Sequence, residues 1–192
     1  ALNLADDFED KLAIANYALE YATCHNTGYF TSSVLETFYV NYAKSIDIDD
    51  YNVDYVPNSF LHVMTEGYDT GGHTRVVERW IENSPDFQSH SVVVLRQNVN
   101  ATLKTLNDIP KTRNGECIYF DNALSIEEKA LKLRKMGLKY QYIILHTHMQ
   151  DPIATIAFGT EKFTRPVLFY NHASHMFWIG KSILDVCLDI NK

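Results

Sequence analysis

Cysteine is scarce and poorly placed for cross-linking. Cys24, Cys117 and Cys187 are odd in number and far apart, which excludes a disulfide framework and reads as the reduced thiols of a cytoplasmic protein. No apolar run approaches the roughly eighteen residues of a transmembrane helix. The start, Ala1 to Asp7, has no basic stretch leading into an apolar one, so it does not read as a signal peptide. Without such a signal, the sequon Asn100-Ala101-Thr102 is expected to be a chance match. A basic stripe is missing too: 24 acidic side chains against 17 basic ones give a net charge of −7. That balance argues against a nucleic-acid partner, although a glycine loop or a helix N-terminus can still hold a phosphate. Internal repeats and low-complexity tracts are absent. An initiator methionine is also absent, and Ile183 to Lys192 closes without a finishing element. The expectation is a piece of a longer enzyme.

What remains, 192 residues of which 46% are apolar, suits one globular domain or one domain with an extension. Residues 6–24 and Ser32 to Ala43 carry apolar positions at helical spacing. A turn-rich acidic bridge follows, and Pro57-Asn58-Ser59 closes it, which divides the chain into a helical extension (1–57) and a main domain (58–192). From there strands and helices alternate, the signature of a parallel sheet with crossover helices. Phe60–Met64, Ser89–Leu95, Cys117–Phe120, Tyr142–Leu145 and Pro166–Tyr170 read as strands. Thr74–Asn83, Val99–Leu106 and Pro152–Phe158 read as helices, and an apolar helix is expected to run through Asp189 with Cys187 packed on it. Ser125 and Glu128 form a capping box for another helix, with Gly137 at its expected glycine cap. The fold class is therefore α/β: a Rossmann-like, mostly parallel sheet flanked by helices.

Two separated stretches carry the chemistry. Thr65 to Arg75 places Gly71 and Gly72 between an apolar strand and an amphipathic helix. Glycines allow positive φ and close approach of a ligand to the backbone, and the following helix N-terminus favours an anion. His73 and Arg75 sit on the first turn, where Arg75 can add a charge-assisted bond to phosphate. The glycine spacing matches neither a dinucleotide fingerprint nor a Walker loop. The second stretch is a pair of strand ends, Leu145-His146-Thr147-His148 and Tyr170-Asn171-His172-Ala173-Ser174-His175. Strand alternation turns His146 and His148 to one side. Open α/β sheets bind ligands outside the carboxyl ends of their strands, so both stretches are expected on one rim.

In that order, a strand running into Gly71-Gly72-His73-Thr74-Arg75, then His146-Thr147-His148 with Pro152 behind it, then Tyr170-Asn171-His172, the chain resembles the N-terminal, acceptor-side domain of GT-B-fold glycosyltransferases, the retaining class in particular. The resemblance covers roughly residues 59–192. It implies a two-domain enzyme with a nucleotide-sugar donor and an unknown acceptor, whose missing C-terminal domain makes most nucleotide contacts. Gly71, Gly72, His73 and Arg75 are then expected near the donor phosphates and His172 beside the transferred sugar. His148 would share the catalytic role, while His146, Asn171 and His175 would line the acceptor cleft. No cofactor and no resident metal are implied. Residues 1–57 depart from the simplest family pattern.

Two other classes compete. A metal-dependent hydrolase would have to bring His146, His148, His172 and His175 around a zinc-activated water. A non-catalytic interaction domain could share the same topology, because fold alone does not set function.

Overall fold

The computed structural model describes residues 7–25, 27–97, 103–173 and 175–189. Six strands form one sheet: β1 (Val56–Met64), β2 (Ser89–Val94), β3 (Cys117–Tyr119), β4 (Tyr140–His146), β5 (Val167–Asn171) and β6 (Val186–Asp189). Their order is β3-β2-β1-β4-β5-β6, and every pairing is parallel. The helices are α1 (Phe8–Cys24), α2 (Ser33–Ser45), α3 (Gly72–Glu82), α4 (Lys104–Asp108), α5 (Ile126–Gly137) and α6 (Ile153–Phe158). The expected α/β class is the observed one. Val99 to Thr102 of the expected fourth helix lie outside the described residues.

Strand alternation divides the interior into two cores. Leu61, Val63, Val93, Ile143, Leu145, Val167 and Phe169 join the large core with residues of α1, α2, α5 and α6. Met64, Val92 and Val94 face the other way, against Val77 and Ile81 of α3 and Leu103 and Leu106. The two N-terminal helices supply Ala15, Leu19, Leu35 and Tyr39 to the large core. α2 also hydrogen-bonds to α5 through Tyr42 and Glu127.

Several elements differ from the sequence expectation for identifiable reasons. β1 starts at Val56, so Pro57–Ser59 lies inside the strand. The register shifts between Val56 and Phe60, and such an irregularity at a strand's start accommodates proline. Asn58 takes a positive φ of 56° there. Gly137 is the last helical residue, and the C-cap Leu138 is right-handed, so no glycine cap forms. A Cβ at Gly137 would come within 2.9 Å of Phe158 and 3.2 Å of Phe163; close packing explains the glycine. The expected C-terminal helix is instead a short 3₁₀ turn, Lys181–Ile183, followed by β6. Short apolar runs carry no periodicity that separates helix from strand, and β6 is settled by pairing with β5, Leu168 against Val186 through Asn171 against Asp189. Cys187 consequently lies exposed on an edge strand rather than packed on a helix. Among the described residues no helix is long and apolar enough to cross a membrane.

Candidate functional site: the imidazole rim

From β1 the chain moves outward through β2 and β3, and β4 restarts on the other side of β1 before β5 and β6. The carboxyl ends of β1 and β4 therefore flank a topological switch point, where the loops diverge and leave a crevice. The β1–α3 loop enters it. Gly71 is the N-cap of α3, with φ 116° and ψ 165°, and no side chain caps the helix. A Cβ at Gly71 or Gly72 would meet nothing within 4 Å, so both glycines face open space. Thr74 Oγ1 ties the loop back by accepting from the Tyr68 amide at 2.7 Å.

His73 carries this loop into the rim. Its Nε2–H donates to the His146 carbonyl at 2.5 Å, which leaves Nδ1 with the lone pair when the ring is neutral. Its ring centroid lies 4.1 Å from that of His172 and 5.7 Å from that of His148. Three imidazoles from the β1, β4 and β5 ends thus converge. Tyr68 completes the group: its hydroxyl donates to Glu66 at 2.8 Å and accepts from His148 Nε2 at 3.1 Å.

A buried carboxylate holds the two loops in place. Asp151 accepts from the Thr65 hydroxyl at 2.6 Å and the Ile153 amide at 3.0 Å, and Arg96 approaches to 3.5 Å. Thr65 Oγ1 in turn accepts from the His148 amide at 2.9 Å. The end of β1 and the start of the β4 loop are thereby joined through one aspartate.

The imidazoles are electrically quiet. Burial lowers the pKa of His172 to about 3, with His73 and His148 adding to the effect. Burial also lowers His73 and His148; the His146 carbonyl opposes this for His73, and Glu66 and Asp151 oppose it for His148. At neutral pH the rim therefore presents neutral donors and acceptors rather than cations.

The anticipated site residues divide by location. Gly71, Gly72, His73, His148 and His172 come together at the switch point. His146 ends β4 and is fully buried beneath them. His148 lies past the strand's end, where alternation no longer sets its direction. Arg75 is exposed and paired with Glu78 at 2.8 Å. It borders a cavity of about 230 Å³ with Gly71, Tyr68, Asp69, Thr74 and Glu78, whose acids offset its charge. Asn171 is buried, its Oδ1 accepting from the Ala173 amide at 3.2 Å. His175 is exposed and touches none of the other imidazoles among the described contacts; Ser174 before it lies outside the described residues. No group of three or more His, Cys, Asp or Glu side chains has a metal-holding arrangement among the described residues.

Sequence reasoning passed over His62 and His90. Both are fully buried on the α3 side of the sheet and hydrogen-bonded to each other, and His62 is also bonded to His146. The only local signal was one histidine inside each strand, His62 among apolar residues and His90 between two serines. Tyr68 and Trp80 were also missed as neighbours of the rings, because their contacts depend on the sheet's register.

No family model, no curated protein and no solved structure matches this chain.

Proposed function

We propose that this chain is the acceptor-side half of a glycosyltransferase that uses a nucleotide-activated sugar, with a second, nucleotide-binding domain as its partner. One observation carries the reading: the ring of His73, two residues beyond Gly71, lies tilted against that of His172 with centroids 4.1 Å apart and adjoins that of His148. A glycine loop suited to a diphosphate and two imidazole-bearing strand ends suited to a sugar therefore meet at one switch point.

The chemistry of glycosyl transfer fits this arrangement. The bond from the sugar's anomeric carbon to phosphate breaks, and negative charge collects on the leaving diphosphate. The uncapped N-terminus of α3, reached over Gly71 and Gly72, offers N–H groups and the positive end of a helix dipole to that charge. Neutral His172 and His148 offer directional hydrogen bonds to sugar and acceptor hydroxyls. The fully buried His146 supports the rim from below and does not touch substrate.

The test is an NMR titration of the ¹⁵N-labelled chain with UDP-, GDP- and ADP-linked hexoses, and with pyrophosphate alone. Expected are shifts at the Gly71 and Gly72 amides together with the His73, His148 and His172 rings. Millimolar sugar nucleotides that leave all of these unmoved overturn the proposal. The chain alone is expected to bind without turnover, so robust transfer by the isolated chain would refute the half-enzyme reading.

A further inference from the structure

From His172 at the rim inward, four imidazoles form an unbranched chain. His172 Nε2 lies 3.3 Å from His146 Nδ1, His146 Nε2 lies 3.1 Å from His62 Nδ1, and His62 Nε2 lies 3.0 Å from His90 Nδ1. Beyond it, His90 Nε2 faces Gln88 Oε1 at 3.3 Å. Four different strands or strand ends contribute the rings, so the chain crosses the sheet. It begins after the carboxyl end of β5 and ends at the amino end of β2. His62, His90 and His146 have no solvent exposure. Phe60 stacks on His90, Trp80 stands edge-on to His62 and His146, and Tyr170 stacks on His146.

The atom pairing is what matters. Each link joins Nδ1 of one ring to Nε2 of the next. A neutral imidazole has one N–H and one lone pair. Such a head-to-tail chain has only two fully bonded arrangements: every ring Nε2–H, or every ring Nδ1–H. Gln88 suits both, since its side-chain amide can accept from His90 or, turned over, donate to it.

We propose that His172, His146, His62 and His90 form a proton relay between the crevice at the strands' carboxyl ends and the opposite edge of the sheet at Gln88. Starting from the Nε2–H arrangement, a proton binds His172 Nδ1, and the His172 Nε2 proton passes to His146 Nδ1. His146 and His62 hand on their Nε2 protons in the same way. The half-exposed Gln88 side chain turns over, and the His90 Nε2 proton leaves to the water that this movement admits. One proton enters, one leaves, three N–H···N bonds reverse, and every ring ends neutral. The same hops in reverse reset the chain by taking up a proton at His90 Nε2 and returning one to the crevice from His172 Nδ1. Among the described residues, burial and neighbouring imidazoles rather than a carboxylate shift the four rings, and Arg113 adds positive charge near His90. Burial holds the rings far below their ordinary basicity, so a resident imidazolium is disfavoured, whereas tautomer exchange needs none. The relay stands apart from glycosyl transfer. Its use to take the acceptor hydroxyl's proton, breaking O–H and forming N–H on His172, rests on that reading.

Histidine-selective ¹⁵N NMR of the chain tests the relay without any ligand. In the unaltered protein the ring nitrogens of His172 are expected at averaged positions, since both arrangements are populated. Gln88→Glu offers His90 only an acceptor and should drive His172, four rings away, to Nε2–H. Gln88→Lys offers only a donor and should drive it to Nδ1–H. Adding His62→Gln should uncouple His172 from position 88. The same His172 tautomer in both Gln88 variants, or coupling that survives His62→Gln, would overturn the relay. Gln88 is partly exposed, so its variants decide the matter even where His62→Gln fails to fold. Tautomer coupling without sugar-nucleotide binding would sink the transferase reading alone, and binding without coupling would sink the relay alone.

Discussion

His73 and His172 lie with ring centroids 4.1 Å apart and planes inclined at 54°, one in the first turn of α3 and the other just past β5. Their meeting is possible only because β4 alone separates β1 from β5 in the sheet. The contact also fixes where Gly71 and Gly72 stand, since His73 follows them directly and is pinned by the His146 carbonyl.

The two glycines should respond differently to alanine. Gly71 has φ 116° and ψ 165°, a region that is nearly glycine-only, so Gly71→Ala should cost about 1–3 kcal/mol. Gly72 is the first residue of α3, has no positive φ, and leaves room for a Cβ. Gly72→Ala should be neutral or stabilise by up to about 1 kcal/mol. Urea unfolding of both variants checks this; equal losses would show that the loop geometry is wrong. If the backbone at Gly72 contacts a diphosphate, the same variant should lose sugar-nucleotide affinity while keeping its stability.

Acid should weaken the fold well above the range in which carboxylates titrate. Burial, aided by His90, lowers the pKa of His62 from 6.5 to about 3. Between those values the unfolded chain binds more protons than the folded one, so stability rises with pH there. The His62 contribution is complete above pH 6.5 and is lost as pH falls toward 3. At pH 5, ~1.5 units below the unfolded value, His62 alone accounts for a loss of ~2 kcal/mol. His90, lowered to about 4 chiefly by burial, acts in the same direction. Urea midpoints at pH 7 and pH 5 provide the measurement. A midpoint that is unchanged or higher at pH 5 would mean the imidazoles are not buried as described.

What the sequence disclosed was set by how local each cause is. The capping box at Ser125 and Glu128 was readable because its partners lie three residues apart, and both of its hydrogen bonds form. The apolar run of β2 was readable because burial on both faces of a parallel strand leaves a continuous hydrophobic signature. β6 was misread because its four residues gain strand character only from β5. Gly137 looked like a cap because its true reason, the rings of Phe158 and Phe163, arrives from a distant part of the chain. At the site, the rim histidines stood out at strand ends beside glycine and asparagine. His62 and His90 did not, because a proton chain exists only once lateral register is set.

Arg134 should be among the most sensitive positions in the molecule. It lies fully buried and donates to the carbonyls of Ala43, Ile46, Ile156 and Ala157 at 2.6–2.8 Å, and to the Tyr51 hydroxyl at 3.1 Å. Those carbonyls belong to the C-terminal turns of α2 and α6, or follow directly on them. One guanidinium therefore caps two helices whose negative dipole ends balance its charge. Arg134→Met keeps bulk but strands several buried carbonyls, each worth about 1–3 kcal/mol, so a loss above about 3 kcal/mol is expected. Arg134→Lys should recover only part, because an ammonium lacks the fork that spans both helix ends. Chemical denaturation measures both, and a loss below about 1 kcal/mol for Arg134→Met would contradict this role.

Asp151 allows two contributions to be separated by magnitude. Its side chain is fully enclosed, while Arg96 is about half exposed and 3.5 Å away. An ion pair with so exposed a partner contributes at most about 1 kcal/mol. The hydrogen bonds from Thr65 and Ile153 are short, buried and directed at a charge, and such bonds are worth about 1.5–3 kcal/mol each. The anchor should therefore be mainly hydrogen bonding. Arg96→Gln is expected to cost less than about 1 kcal/mol. In Asp151→Asn, Oδ1 can still accept from Ile153, but the amide nitrogen then faces the Thr65 hydroxyl proton. That hydroxyl must turn away, and the variant should lose about 2–4 kcal/mol. Because Thr65 also accepts from the His148 amide, the His148 ring resonances should shift in Asp151→Asn and stay fixed in Arg96→Gln. Equal destabilisation by the two substitutions would mean that the ion pair, rather than the Thr65–Asp151 bond, holds the rim together.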